Sequence, residues 1–200
     1  MALGASQADP RGAKRTEHVA WFEATMRIRQ FFRAVNAHLL SMSSQRRFQV
    51  RPATQRDAKA IAAIDLEEGA TGRPLFDWRE AIEFSEPQVQ VVLDDTQVVG
   101  FVGFDRSRDT GTPPTTGEIW VIQVLRSHWG QGAGLALWDA AREGLIEEGC
   151  TQVTAWVPLR NELAIRFHEL AGFKRDMSTA KTVVVGSVRR EEVRLSRPLA

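Results

Sequence analysis

Three glycines at alternate positions, Gly130, Gly132 and Gly134, stand between a β-branched run ending at Gln123-Val124-Leu125 and an apolar run beginning at Leu135. Glycine lets a backbone come close to a ligand and take conformations that a Cβ forbids. A helix starting at this point leaves its first N–H groups without intrahelical partners, and its dipole adds partial positive charge. That combination suits an anion, phosphate above all. The spacing is G-x-G-x-G, so it is not the dinucleotide fingerprint G-x-G-x-x-G. Nor is it a P-loop, because no Lys-Ser/Thr follows. Taken alone, the turn reads equally as an anion cradle or as a flexible link.

A second segment, Asn161-Glu-Leu-Ala-Ile-Arg-Phe-His-Glu-Leu-Ala-Gly-Phe173, has helical spacing, with Leu163, Phe167 and Leu170 on one face. Gly172 is placed to stop that helix. Together the two segments resemble the GNAT superfamily of N-acetyltransferases. Gly130–Gly134 is similar to its acetyl-CoA motif, R/Q-x-x-G-x-G/A. Asn161, Ala164, Phe167-His168 and Gly172-Phe173 are similar to its later motif, N-x-x-A-x-x-F-Y-x-x-x-G-F. The order is right, and one helix and one strand fit between them. The resemblance covers about residues 48–197, with the two motifs its most specific part.

The resemblance implies an α/β (α+β) fold: a mixed, mostly antiparallel central sheet flanked by helices and splayed open after Gln123-Val124. Acetyl-CoA would be the cosubstrate. Its pantetheine arm would pair with the backbone of Ile122 and Val124, next to Gln123. Its pyrophosphate would sit on the N–H groups of Trp129, Gly130, Gln131, Gly132, Ala133, Gly134 and Leu135. Asn161 would touch it from the far side. A neutral amine would attack the thioester carbonyl, polarised by backbone N–H near Val124.

The chain departs from the family at two positions. Trp129 stands where the family has Arg or Gln, so Arg126 is the candidate replacement for a phosphate contact. His168 stands where the family has its tyrosine acid, and the chain has no tyrosine at all. Imidazole donates a proton near neutral pH, so His168 reads as the general acid beside the cofactor, or as a buried helix residue with no catalytic part. Glu118, at the start of the strand leading to the motif, reads as a base acting through water or as a solvated strand-end charge.

The elements that must position these residues are legible in outline. Phe48–Arg51 reads as a strand ended by Pro52, and Thr54 caps a helix starting near Arg56 with Ile61 and Ile64 buried. Gly69–Pro74 is a loop and Trp78–Phe84 a short helix. Val89 to Phe104 is a hairpin turning at Asp94-Asp95. Arg106–Gly117 is an exposed loop. Glu118–Leu125 is a strand, a helix runs to about Glu148, and Thr151–Val157 alternates as a strand. Thr182–Val185 and Val188–Leu195 close a hairpin across Gly186-Ser187. Glu67, Glu68, Arg73, Trp78 and Arg79 fall where the family's acceptor side lies. His128 could offset phosphate charge, and Cys150 reads as core.

Residues 1–16 read as a disordered tail and 17–41 as an amphipathic helix, with Trp21, Ile28, Phe32, Val35 and Leu39 at helical spacing. That helix suits packing on the domain, a homodimer contact or an anionic membrane surface. Met42 also stands as an alternative start. Residues 1–47 hold eight Lys/Arg against three acids, and 48–200 hold eighteen against twenty-two, so the domain is mildly acidic. This argues against nucleic acid as a partner there and suits a cationic acceptor, a small-molecule or peptide amine. One cysteine forbids an internal disulfide, no Cys/His cluster has zinc spacing, and no leader or spanning segment is visible. A cytoplasmic enzyme without metal and without membrane attachment is the expectation. The rival readings are a non-catalytic acyl-CoA-binding or regulatory module and, more weakly, a nucleic-acid binder using the basic N-terminal helix.

Overall fold

The computed structural model describes residues 48–68, 77–185 and 188–199. The expected tail, the 17–41 helix, the Gly69–Pro74 loop with Arg73, and the Gly186-Ser187 turn lie outside the described residues. Seven strands run β1 (Phe48–Pro52), β2 (Gln88–Asp94), β3 (Gln97–Arg106), β4 (Thr116–Val124), β5 (Gln152–Pro158), β6 (Lys174–Val185) and β7 (Val188–Pro198). Among the described residues four α-helices accompany them: α1 (Ala58–Glu68), α2 (Trp78–Phe84), α3 (Ala133–Glu147) and α4 (Glu162–Leu170). The sheet order is β1-β2-β3-β4-β5-β7-β6. Every described strand pairing is antiparallel except β4 with β5. The mixed, mostly antiparallel sheet is therefore as expected.

Both faces of the sheet are covered, so the central strands are apolar at successive positions. Val92, Val99, Val102, Phe104, Val153, Val193 and Leu195 join Leu137, Trp138 and Leu145 of α3 in one core. Val89, Val91, Leu93 and Phe101 join Ile61, Ile64 and Trp78 on the opposite face. Gly117 makes the first packing possible, since a Cβ there would lie 2.6 Å from a Leu145 methyl.

Two elements differ from expectation. β6 begins at Lys174, eight residues before the expected Thr182, because Lys174–Ser178 is an exposed edge segment without apolar alternation. In α4, Leu163 and Leu170 are exposed, and Ile165 and His168 are the buried residues. Leu163 and Leu170 face a cavity, and Phe167 both lines that cavity and packs against the core.

At the start of α1, the side-chain acceptor is Asp57 and Thr54 is the donor, the reverse of the expected Thr54 cap. The Asp57 carboxylate accepts from Thr54 N at 2.7 Å and Thr54 Oγ1 at 2.8 Å, and Arg51 donates to both its oxygens at 2.7 and 2.9 Å. The Arg51 hydrogen bonds hold the Asp57 carboxyl down at about 2, against burial, which pushes it up. The folded pKa lies below the unfolded one, so the contribution, about 2 kcal/mol, is complete above roughly pH 5 and lost as pH falls through about 2. Urea titrations of Asp57→Asn and its parent should differ most at pH 7 and converge toward pH 2. A gap independent of pH would contradict this account.

Candidate active site

The site lies where β4 and β5 part. They pair from Thr116 with Gln152 to Ile119 with Ala155. The next rung would join Trp120 to Trp156. The β3–β4 register shifts between Gly103 and Phe104, which leaves Trp120 as the extra residue of a bulge in β4. Ile119 and Ile122 pack into one core while Val121 packs into the other, so Trp120 and Val121 share a face. The sheet thus opens after Ile119, five residues before the expected opening after Gln123-Val124. The bulge breaks the strand's register, and two indoles stand where the ladder would continue.

Beyond the fork, β4 still pairs with β3. Leu125 N donates to Val99 O at 2.8 Å, and Gln123 pairs with Phe101. Ile122 and Val124 alternate with these residues, so their backbone polar groups turn toward the fork. This is the edge expected to hold an extended amide-bearing arm. The Val124 carbonyl accepts the Trp129 indole N–H at 2.7 Å, and the Arg126 guanidinium lies 5.0 Å from the Trp129 ring centroid. Trp129 therefore ties the turn to the end of β4 and presents no charge of its own.

A cavity of about 460 Å³ fills the fork. Ile122, Gln123, Val124, Trp129, Gly130, Gly132, Gly134, Leu135, Asn161 and His168 all line it. Gln131 and Ala133 belong to the same turn but do not line the cavity. Gln131 Nε2 donates to Ser127 O at 2.7 Å, and Ala133 is buried in the core. Gly132 is the N-cap of α3, with φ +100° and no capping side chain. No side chain thus competes for the first-turn N–H groups of α3. Gln123 Oε1 is buried without a hydrogen-bond partner, which is costly unless a donor in the cleft reaches it.

Asn161 Oδ1 caps α4 by accepting from Ala164 N at 3.1 Å, so this side chain builds the wall as well as lining it. His168 lies between Phe167 and Phe173 in edge-on contacts at 5.4 and 5.1 Å. Its Nδ1 lies 2.8 Å from Ala164 O. A carbonyl only accepts, so Nδ1 carries the proton and Nε2 a lone pair. Burial pushes the imidazole pKa below its ordinary 6.5, against the smaller pull of the Ala164 carbonyl. At neutral pH His168 is an uncharged proton acceptor.

Glu118 does not line the cavity. It sits on the paired stretch of β4, where it accepts from Ser107 Oγ at 3.0 Å. The carboxylate that does reach the cavity is Asp65 of α1, which accepts from Trp78 Nε1 at 3.0 Å. Trp120, Trp156 and Arg190 also line it, without having been expected there. The Trp156 indole within an alternating strand was the available signal, because it stood opposite the apolar side. His128, beside the turn, is held 3.2 Å from an Asp94 oxygen. Cys150 is buried.

The sequence profile of the acetyltransferase (GNAT) family matches residues 56–173. A mycothiol acetyltransferase from Kocuria rhizophila is 32% identical over 82 residues, 41% of this chain and 27% of that protein. The match thus spans about a quarter of the relative's length. Among solved structures, a putative acetyltransferase from Salmonella typhimurium with its cofactor acetyl-CoA superposes with a TM-score of 0.64 at 20% identity, over 76% of this chain and 94% of that one. An N-acetyltransferase from Staphylococcus aureus gives 0.64 at 22% identity over 76% and 99%. A ribosomal-protein-alanine N-acetyltransferase from Brucella melitensis gives 0.63 at 21% over 75% and 99%. At these identities the structural likeness establishes the fold.

Proposed function

The chain belongs to the acetyltransferase (GNAT) family, whose cosubstrate is acetyl-CoA, and from that premise we propose that it is an N-acetyltransferase acting on a primary amine of a small molecule or peptide. The observation that carries this reading is the fork. It turns the backbone of Ile122 and Val124 into a cavity that runs on to the uncapped N-terminus of α3. Acetyl-CoA supplies the acetyl group as a thioester. Ile122, Val124 and the Gln123 amide oxygen would hold the extended arm by hydrogen bonds, and the first turn of α3 would hold the anionic pyrophosphate.

The amine attacks from the face where Asp65, Trp120 and Trp156 stand. His168 replaces the family's tyrosine, and with a different duty. Its Nε2 takes the amine's proton as the C–N bond forms and gives it up where the thiolate leaves, so one group serves as base and then acid. Backbone N–H at Val124 would polarise the carbonyl under attack. Glu118 has no part in this scheme, because it lies off the cavity. Among the described residues no helix is long and apolar enough to cross a membrane.

Calorimetric titration with acetyl-CoA and with CoA should show one site per chain. Release of free thiol should then rise on adding an acceptor amine. Stoichiometric binding without amine-dependent thiol release would favour a non-catalytic acyl-CoA-binding module. Absence of binding by folded protein would refute the cofactor reading.

A further inference from the structure

Three side chains of the cavity wall stand on one face of the sheet. Val153, Ala155 and Val157 of β5 pack into the core with α3, so Trp156 points to the opposite face. Trp120 shares that face through the bulge in β4, and α1, which carries Asp65, packs there over β3 and β4. Among the described residues that line the cavity, Asp65 supplies the one carboxylate. Trp78 sets its level along the strand. The Trp78 ring lies edge-on to Phe101 at 4.8 Å, Phe101 pairs with Gln123 across β3 and β4, and Trp78 Nε1 donates to Asp65 Oδ2 at 3.0 Å. Asp65 is thus held beside the stretch of β4 that ends at Val124. Trp78 takes one of its oxygens and leaves the other to accept.

The positive charges around this face are already matched or committed. Arg190 meets the cavity with the Glu192 carboxylate on its Nη2 at 2.7 Å, so the pair brings no net charge. His128 faces an Asp94 oxygen at 3.2 Å. Lys181 Nζ lies 3.4 Å from the Trp156 ring centroid and the Arg194 guanidinium 5.7 Å from it, while the Arg108 guanidinium lies 5.3 Å from the Trp120 centroid. Trp156 Nε1 donates to an Asp109 oxygen at 2.6 Å. The protein's own cations therefore hold both indoles. A ligand cation on the far face of Trp156 would stand about 7 Å from Lys181 Nζ, where like charges repel by about as much as a cation–π contact returns. The indoles thus suit carbon, and the place for an ammonium is Asp65.

We propose that the acceptor is a primary amine with a flat apolar body and no second charge, an arylalkylamine, with its ammonium on Asp65 and its ring against Trp120 and Trp156. This rests on the reading of the cleft as an acetyl-transfer site and names its substrate class. Trp120 and Trp156 are the first residues past the last β4–β5 rung, so a ring seated on them stands in the mouth of the fork. It gains there both burial and offset or edge-on ring contacts. The Asp65 carboxylate holds the nitrogen beside the thioester by a charge-assisted hydrogen bond. A carboxylate on the acceptor would be repelled by Asp65 and would find Arg190 already matched. A second ammonium would meet Lys181, Arg194 and Arg108 behind the indoles. The bound ammonium gives one proton to solvent before it attacks. The C–N bond then forms, the C–S bond breaks, and the second proton passes through His168 to the thiolate.

The test measures amine-dependent thiol release with phenethylamine, butylamine, phenylalanine and putrescine. Phenethylamine should exceed each of the other three by about tenfold or more in kcat/KM. Asp65→Asn keeps an oxygen for the Trp78 indole and removes the charge. It should raise the phenethylamine KM by about tenfold or more and leave the acetyl-CoA KM in place. Trp156→Leu should bring the phenethylamine-to-butylamine ratio toward unity. A parent that uses butylamine, phenylalanine or putrescine as well as phenethylamine overturns the assignment. So does an unchanged phenethylamine KM in Asp65→Asn, a ratio that survives in Trp156→Leu, or acetyl-CoA binding without turnover of any of the four amines. Each of these leaves the cofactor cleft standing, whereas failure of the folded protein to bind acetyl-CoA removes both readings.

Discussion

Gly132→Asp should cost about a hundred- to a thousandfold in acetyl-CoA affinity by calorimetry. Gly132 holds φ +100° at the N-cap of α3, a conformation that costs an L-residue about 1–3 kcal/mol. The new carboxylate would also face the cofactor's pyrophosphate beside the first-turn N–H groups. Like charges about 4 Å apart cost on the order of 4 kcal/mol at an effective dielectric near 20. Part of this total relaxes through movement of the turn, which leaves the two to three decades expected. Gly132→Ala separates the terms, because it keeps the strain and drops the charge. Gly111→Asp serves as the control: φ there is +83° and nothing lies within 4 Å. Gly111 does not line the cavity. Undiminished acetyl-CoA affinity in Gly132→Asp would move the anion site elsewhere.

His168→Phe should lower kcat by about a hundredfold or more, within the range of general acid–base catalysis, while acetyl-CoA affinity changes little. Phenylalanine keeps a ring between Phe167 and Phe173 and removes only the two nitrogens. Loss of the Nδ1–H bond leaves no buried orphan in the side chain, and Ala164 O keeps its place in the helix ladder. The pH dependence separates the two duties that a histidine could have here. Burial holds its pKa below 6.5, so a group that must begin neutral makes kcat/KM rise with pH through that depressed value and level off near neutrality. A group that had to begin protonated would make the rate fall over the same range. A falling limb that disappears in His168→Phe would restore the acid role suggested by the family's tyrosine. An unchanged rate in the variant would take His168 out of the reaction altogether.

The glycine turn and the Asn161 helix were legible in the sequence because their chemistry is local. A glycine that must take positive φ, an Asn that accepts from the backbone three residues on, and a strand that alternates all write their needs into neighbouring positions. The resemblance those two segments carry to the acetyltransferase family, and not their local chemistry, implied the sheet type and the cofactor, and ten of the residues it pointed to line the cavity. The polar edge of β6 was not legible, because an edge strand exposed to water needs no apolar alternation and Lys174–Ser178 has none.

The fork point, the inward partners of α4 and the acceptor wall were decided by tertiary structure. The sheet opens after Ile119 because a bulge at Trp120 meets Trp156, thirty-six residues later in the chain, in a parallel pairing that neither strand encodes alone. Leu163 and Leu170 make a stripe that any periodicity would assign to the core, yet the parting of β4 and β5 puts a cavity under it. Glu118 is well placed in sequence but stands on the paired side of the fork, while Asp65 and Arg190, unremarked in sequence, arrive at the cavity from α1 and β7. Sequence spacing determined which residues could bind an anion or cap a helix, since those bonds span only a few positions. Which side of a strand faces a ligand depended on where its neighbour left it, and only the assembled sheet settles that.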